Sequence, residues 1–148
     1  DEPGFLIGPD AEKAGTILHG TEAVLATTES TVPWTTVMIR KSFGVAAAAH
    51  YGPDGYVLAW PSAESGPLPL EGGVAVAFKK EIAQAANPEA KRKELEEKMA
   101  KNQNPFPRAE AFSVHEIIDP RETRRYISLW ADRIQGQLKA SLVKDKLI

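Results

Sequence analysis

Two short stretches place a glycine after an apolar residue and before small side chains: DEPGFLIGPD at residues 1–10 and RKSFGVAAAAH at residues 40–50. In the second stretch, Gly44 is followed by Val45 and four alanines, which predicts a tight turn and a small helix. The first N–H groups of a helix have no acceptor within the helix and lie at its positive end. Small side chains would let an oxyanion approach these donors. Close packing of the helix on a sheet explains the same glycine and alanines, and the spacing alone favours that explanation.

The three histidines are the other obvious candidates for chemistry. His19 lies one position off the apolar face of a predicted helix, and His50 ends the alanine run, where a cation is favoured at a helix C-terminus. In HEIID, His115 stands beside Glu116 and Asp119, but the stretch reads as a strand. Side chains on a strand do not converge as i, i+4 ligands do on a helix. We therefore expect no metal site.

Composition excludes several classes of protein and site. The 148 residues include no cysteine, which excludes disulfides, thiolate metal sites and a cysteine nucleophile. The net charge of −2 gives no reason to expect nucleic acid or an acidic membrane surface as partner. No apolar run approaches the ~20 residues that span a bilayer. The acidic start is unlike a signal peptide, so we expect a cytoplasmic protein.

Familiar catalytic motifs are also missing. The sequence has no GxSxG, P-loop or GxGxxG, and FGVAAAA lacks the second and third glycines of the dinucleotide fingerprint. Basic residues occur in three groups: Arg40 and Lys41, Lys79 and Lys80, and Arg121 with Arg124 and Arg125. Such groups are usually solvated, although they could also attract phosphate or carboxylate.

Hydrophobic periodicity predicts an α/β protein. Helices are expected from Pro9 to about residue 28, over VAAAAH, over 72–86, over the charged stretch 87–103 and over 120–138. Strands are expected over TTVMIR, YVLAW and SVHEIID. The stretches 62–73 and 104–112 are expected to be a loop and a turn. DEPGF reads as the end of a strand with no strand before it, which suggests a piece of a longer polypeptide.

Several separated motifs resemble one family. DEPGFLIGPDAEKAGTILHGTEAV, VPWTTVMIRKSFGVA, LAWPSAE, EGGVA and NPFPRAEAFSVHEIIDPRETRRYI follow the order and rough spacing of biotin-dependent acyl-CoA carboxyltransferases. The chain is similar to the C-terminal half of the β subunit of propionyl-CoA and acetyl-CoA carboxylases. The resemblance implies a crotonase-like fold of stacked ββα turns. It also implies that residues 1–148 are the later part of the biotin-side domain, with the acyl-CoA domain of the parent protein absent.

This resemblance implies carboxyl transfer from carboxybiotin to the α-carbon of an acyl-CoA. By position, the backbone N–H groups of Val45 and Ala46 would be the oxyanion donors on the biotin side. Gly44 would permit the turn, Phe5 would help to wall the site, and Ala48 would line the pocket for the substrate. The implied partners are a biotin carboxyl carrier protein or a biotin carboxylase subunit, and further copies of the same subunit. The fragment alone would be inactive.

Departures from the family pattern leave alternatives open. Val45 replaces the second glycine, and Ala47 and Ala48 replace a tyrosine and an aspartate, of which the aspartate is associated with the choice of acyl group. Pro69 stands where glycine is expected. One alternative is an acyl-CoA decarboxylase of the same fold, and another is a non-catalytic assembly domain.

Overall fold

The computed structural model describes residues 1–145. Its elements follow in the order α1 (Pro9–Lys13), α2 (Thr16–Thr28), β1 (Thr35–Met38), β2 (Lys41–Phe43), α3 (Gly44–Ala48), β3 (Tyr56–Ala59), β4 (Glu64–Gly66), α4 (Leu70–Ala77), α5 (Lys79–Gln84), α6 (Pro88–Gln103), α7 (Phe106–Glu110), β5 (Glu116–Ile117), a 3₁₀ turn (Pro120–Glu122) and α8 (Thr123–Asp145).

A strand–strand–helix unit occurs twice in succession. The first unit is β1, β2 and α3, and the second is β3, β4 and α4. Equivalent strands pair in parallel, with Thr35 opposite Tyr56 and Lys41 opposite Glu64. Strand β5 continues the first sheet beside β3, and the order in that sheet is β1-β3-β5. These stacked ββα units confirm the predicted α/β, crotonase-like architecture of a partial domain.

The core lies between the two sheets and the helices that cover them. Leu58 and Ala59 of β3 are fully buried, as is expected for a parallel strand that is covered on both faces. Phe43, the last residue of β2, is 1% exposed. The buried cluster that holds the first sheet consists of Met38, Val57, Ala59, Ala63 and Val114.

The predicted long helices are interrupted at two places. The helix expected from Pro9 to residue 28 is two helices, because Gly15 between them has φ +77, a left-handed conformation that ends a helix. The helix expected over 72–86 is also two helices, α4 and α5, which meet at Phe78 with φ −114 and ψ 22.

The stretches that we expected to be irregular contain regular structure. Residues 62–73 include strand β4 and the start of α4, and residues 104–112 include α7. Strand β2 was not predicted at all. The helix expected over 87–103 is confirmed as α6, with the Asn87 side chain accepting a hydrogen bond from the Ala90 N–H at 3.1 Å.

Within residues 1–145, no helix is both long enough and apolar enough to cross a membrane.

Candidate functional site

Helix α3 begins directly after Phe43, the buried last residue of β2. Phe43 has extended backbone angles, and Gly44 follows with φ +65, which favours glycine over any residue with a side chain. The chain therefore turns sharply between the last residue of β2 and the first turn of α3. The N–H groups of Gly44, Val45 and Ala46 belong to that first turn, where a helix supplies no acceptor of its own.

The two faces of α3 differ in exposure. Ala46 and Ala47 are 3% and 4% exposed and hold the helix against the core. Gly44 and Ala48 are exposed, and Val45 is 61% exposed. One face of α3 therefore packs on the core, and the other is exposed. Three of the predicted site residues lie on the exposed face: Gly44, Val45 and Ala48.

The loop after β4 borders the open start of α3. A Cβ built on Gly44 would lie 3.4 Å from the backbone carbonyl oxygen of Pro67. Gly66 is the register partner of Phe43 in the β2–β4 pair. Residues 66–67 are thus part of the wall beside the predicted donors.

Phe5 packs on α2. Its ring lies so close to Gly20 that a Cβ at that position would overlap it, and Gly20 is buried. The contact that the structure gives Phe5 is therefore with α2, and its predicted role beside the start of α3 stays a prediction. Helix α2 reaches α3 near its other end, where the Thr27 hydroxyl donates to the Ala49 carbonyl at 3.0 Å.

A cavity of about 450 Å³ is lined mainly by residues of β1 and β2 and by the turn that follows α3. The Ser42 and Tyr51 hydroxyls meet there at 2.6 Å, and the His50 Nε2 lies 3.8 Å from a Glu2 carboxylate oxygen. Of α3, only Ala47 is among its lining residues, which are Asp1, Glu2, Trp34, Thr35, Thr36, Val37, Met38, Lys41, Ser42, Ala47, His50 and Tyr51. Sequence reasoning missed this cavity, because strand–helix stacking, and not spacing along the chain, brings its polar residues together.

A second polar cluster lies where β3 and β5 begin. The Tyr56 hydroxyl donates to the Glu116 carboxylate, and the His115 ring lies 5.3 Å from the Tyr56 ring. Burial and the hydrogen bond to Glu116 raise the pKa of Tyr56 to about 12. The negative charge of the same carboxylate also raises the pKa of Tyr126. The cluster ties α8 to the sheet.

Two of the other charged candidates, His19 and Asp119, form pairs with residues nearby in the sequence. The His19 Nδ1 lies 3.2 Å from a Glu22 carboxylate oxygen on the solvent side of α2. Hydrogen bonds from Arg121 lower the pKa of Asp119 to about 2. Among residues 1–145, no three His, Asp or Glu side chains lie close enough together to hold a metal ion.

Comparison with known proteins gives one family. The sequence matches the family described as "Carboxyl transferase domain" over residues 1–141. It is 41% identical over 132 residues to the methylmalonyl-CoA carboxyltransferase 12S subunit of Propionibacterium freudenreichii subsp. shermanii, covering 86% of this chain and 25% of that protein. It is 38% identical over 142 residues to the methylmalonyl-CoA decarboxylase subunit alpha of Propionigenium modestum, covering 93% of this chain and 27% of that protein.

A solved structure shares the fold. The crystal structure of transcarboxylase 12S, described as a hexamer with methylmalonyl-CoA and methylmalonic acid bound, superposes with a TM-score of 0.80 at 38% identity. The match covers 92% of this chain and 27% of that one. The chain thus spans about a quarter of the length of the relatives that it matches.

Proposed function

Since the chain belongs to the carboxyl transferase domain family, we propose that it forms the biotin side of a site that transfers a carboxyl group between carboxybiotin and the α-carbon of an acyl-CoA. It would be the C-terminal part of a longer carboxyltransferase, called the parent subunit below. The match to about a quarter of each relative supports a longer parent subunit.

The observation that carries the proposal is the open start of α3, directly after Gly44 at φ +65. Carboxybiotin would supply the carboxyl group, and negative charge develops on its ureido oxygen as that group leaves. The N–H groups of Val45 and Ala46 would donate to this oxygen. Preorganised backbone donors of this kind typically contribute about 10²–10³-fold in rate each.

The residues at the start of α3 fit the ureido group of carboxybiotin. A ureido oxygen needs hydrogen-bond donors that it can approach. The exposed positions of α3 are Gly44, Val45 and Ala48, none of which carries a side-chain acceptor. Gly44 lets the ligand approach the backbone closely, and Ala48 leaves the space beside it open.

The acyl-CoA, the carrier and the assembly are further parts of the proposal. The acyl-CoA would occupy the parent subunit's other domain, contributed by a second copy. Biotin would arrive on a carrier protein or a biotin carboxylase subunit. Exposed apolar side chains on α2, Ile17, Leu18 and Leu25, support burial against another chain, because contiguous apolar surface of this kind marks interfaces.

We also keep the cytoplasmic location as a prediction. Fractionation of cells that express the tagged parent subunit tests it. Recovery in the membrane or secreted fraction would contradict it.

A decarboxylase is the second candidate, favoured by the 38% identity to the subunit from Propionigenium modestum. The same donors would then serve a reaction whose product is CO₂. One experiment separates the two activities. The parent subunit is incubated with methylmalonyl-CoA or malonyl-CoA, with and without free biotin, and loss of the carboxyl group is followed by mass spectrometry. Biotin-dependent loss supports the carboxyltransferase, and loss without biotin supports the decarboxylase. No loss with either substrate contradicts both for these two acyl groups and favours other acyl groups or a non-catalytic assembly domain.

A further inference from the structure

A buried amide joins α6 to the loop beside α3. Gln103, the last residue of α6, is 5% exposed. Its Nε2 donates a hydrogen bond to the Leu68 carbonyl at 2.9 Å. Its Oε1 is buried and has no hydrogen-bond partner among the residues that the structure describes. The Nε2 of the amide thus has a hydrogen-bond partner and the Oε1 has none, and the partner is a carbonyl of the loop after β4.

The same side chain contacts the residue that pairs with the end of β2. A Cβ on Gly66 would lie 3.8 Å from both the Cγ and the Nε2 of Gln103. Gly66 is the register partner of Phe43, and the next carbonyl, that of Pro67, borders Gly44. Gln103 therefore bonds one end of residues 66–68 and lies beside the other end, in the segment that walls the start of α3.

Packing alone does not fix this segment. Pro67 and Leu68 are both exposed, Leu68 at 38%. The hydrogen bond from Gln103 is therefore the side-chain contact that can hold the Leu68 carbonyl in place. The two prolines of the loop, Pro67 and Pro69, restrict the backbone, so a displacement at Leu68 would carry the Pro67 carbonyl with it.

Stability does not explain the choice of glutamine. The buried Oε1 without a partner costs free energy, which offsets part of what the hydrogen bond from Nε2 to the Leu68 carbonyl contributes. An apolar side chain would fill the same place between α6 and β4. What it could not do is hold the Leu68 carbonyl.

We propose that Gln103 is a positioning residue, which sets the distance between the 66–68 segment and the backbone donors at the start of α3. This inference rests on the proposed function, since it assigns Gln103 to the site formed by Val45 and Ala46. Gln103 itself would not touch biotin or the acyl-CoA. It would act through Leu68 and Pro67.

Two variants of the parent subunit test the role in the biotin-dependent assay. Gln103→Met keeps the length and burial but removes the donor. We expect kcat to fall about tenfold, because small misplacements of catalytic groups have effects of this size or larger. The KM for methylmalonyl-CoA should stay near that of the wild type, and the thermal unfolding midpoint should fall modestly, because the Leu68 carbonyl loses its donor. Gln137→Met, the same change at an exposed position of α8, is the matched control.

Gln103→Glu adds a readout that a purely structural role would not produce. Its protonated carboxyl group can donate to the Leu68 carbonyl, whereas the carboxylate cannot. Burial raises the pKa of a carboxyl group. The activity of Gln103→Glu relative to the wild type should therefore be highest at acidic pH and fall as the pH rises. If Gln103→Met does not fold, the pH dependence of this activity ratio still tests the positioning role of Gln103.

The outcomes are distinct. Full kcat in folded Gln103→Met, or a Gln103→Glu ratio that does not change with pH, would overturn the positioning role and leave the proposed function intact. Absence of biotin-dependent activity in the wild type would overturn the proposed function and this inference together. A fall in kcat at constant KM, with rescue of Gln103→Glu at low pH, supports the inference.

Discussion

The carbonyl oxygen of Pro67 lies against Gly44, 3.4 Å from the position that a Cβ would take on that glycine. Gly44 itself has φ +65. The nearby Pro67 carbonyl and the left-handed backbone both restrict Gly44, the residue that precedes the proposed donors. The second strand–strand–helix unit, which contributes Pro67, thus sets the shape of the site on the first.

Gly44→Ala should therefore lower both stability and activity. A side chain in the left-handed region costs about 1–2 kcal/mol, and relaxation of that strain would displace the Val45 N–H. We expect a loss of about this size in the free energy of urea unfolding, together with a reduced kcat in the parent subunit. Gly136→Ala is the control, because a Cβ there meets nothing within 4 Å. Equal stability of the two variants would contradict the strain at Gly44.

Gly20→Ala should destabilise the protein through Phe5. The added methyl group would overlap the Phe5 ring, and overpacking of this kind typically costs about 1–3 kcal/mol. Urea unfolding measures the loss, again with Gly136→Ala as the control. Unchanged stability would show that the Phe5 ring is free to leave α2, contrary to the packing described above.

Tyr56→Phe should change how stability depends on alkaline pH. The folded protein raises the pKa of Tyr56 from 10.0 to about 12 through burial and the hydrogen bond to Glu116. The unfolded chain therefore releases this proton first. The stabilisation is fully present below pH 10 and is lost as the pH rises towards about 12.

Urea unfolding of the wild type and Tyr56→Phe at several pH values measures this effect. The wild type should lose more stability than the variant between pH 10 and about 12. Tyr126 also has a raised pKa and interacts with the same Glu116 carboxylate, so the difference between the two proteins reports Tyr56 together with the change that its removal makes at Tyr126. Parallel curves would contradict the raised pKa.

The sequence predicted the helices and strands whose own residue types favour that secondary structure. Strands β1 and β3 carry β-branched or apolar residues, and α6 has the cap Asn87 followed by proline. Strands β2 and β4 could not be predicted in this way. The stretches Lys41–Phe43 and Glu64–Gly66 are three residues each, and the strands exist because they pair with one another. That pairing depends on the stacking of the two units.

Only part of the candidate site could be predicted from the sequence. The glycine and alanines after Phe43 predicted a turn and a small helix, but their spacing alone favoured packing over function. The resemblance to a family singled out Val45 and Ala46. Gln103 gave no local signal, since its contact with Leu68 joins residues 35 positions apart.

Val45→Pro in the parent subunit tests the central claim most directly. Proline removes the Val45 N–H and is tolerated in the first turn of a helix. Val45→Ala keeps the N–H and is the control. Biotin-dependent loss of carboxyl from methylmalonyl-CoA should fall about 10²–10³-fold in kcat for Val45→Pro and change little for Val45→Ala. Wild-type kcat in a Val45→Pro protein with an unchanged circular dichroism spectrum would contradict the account.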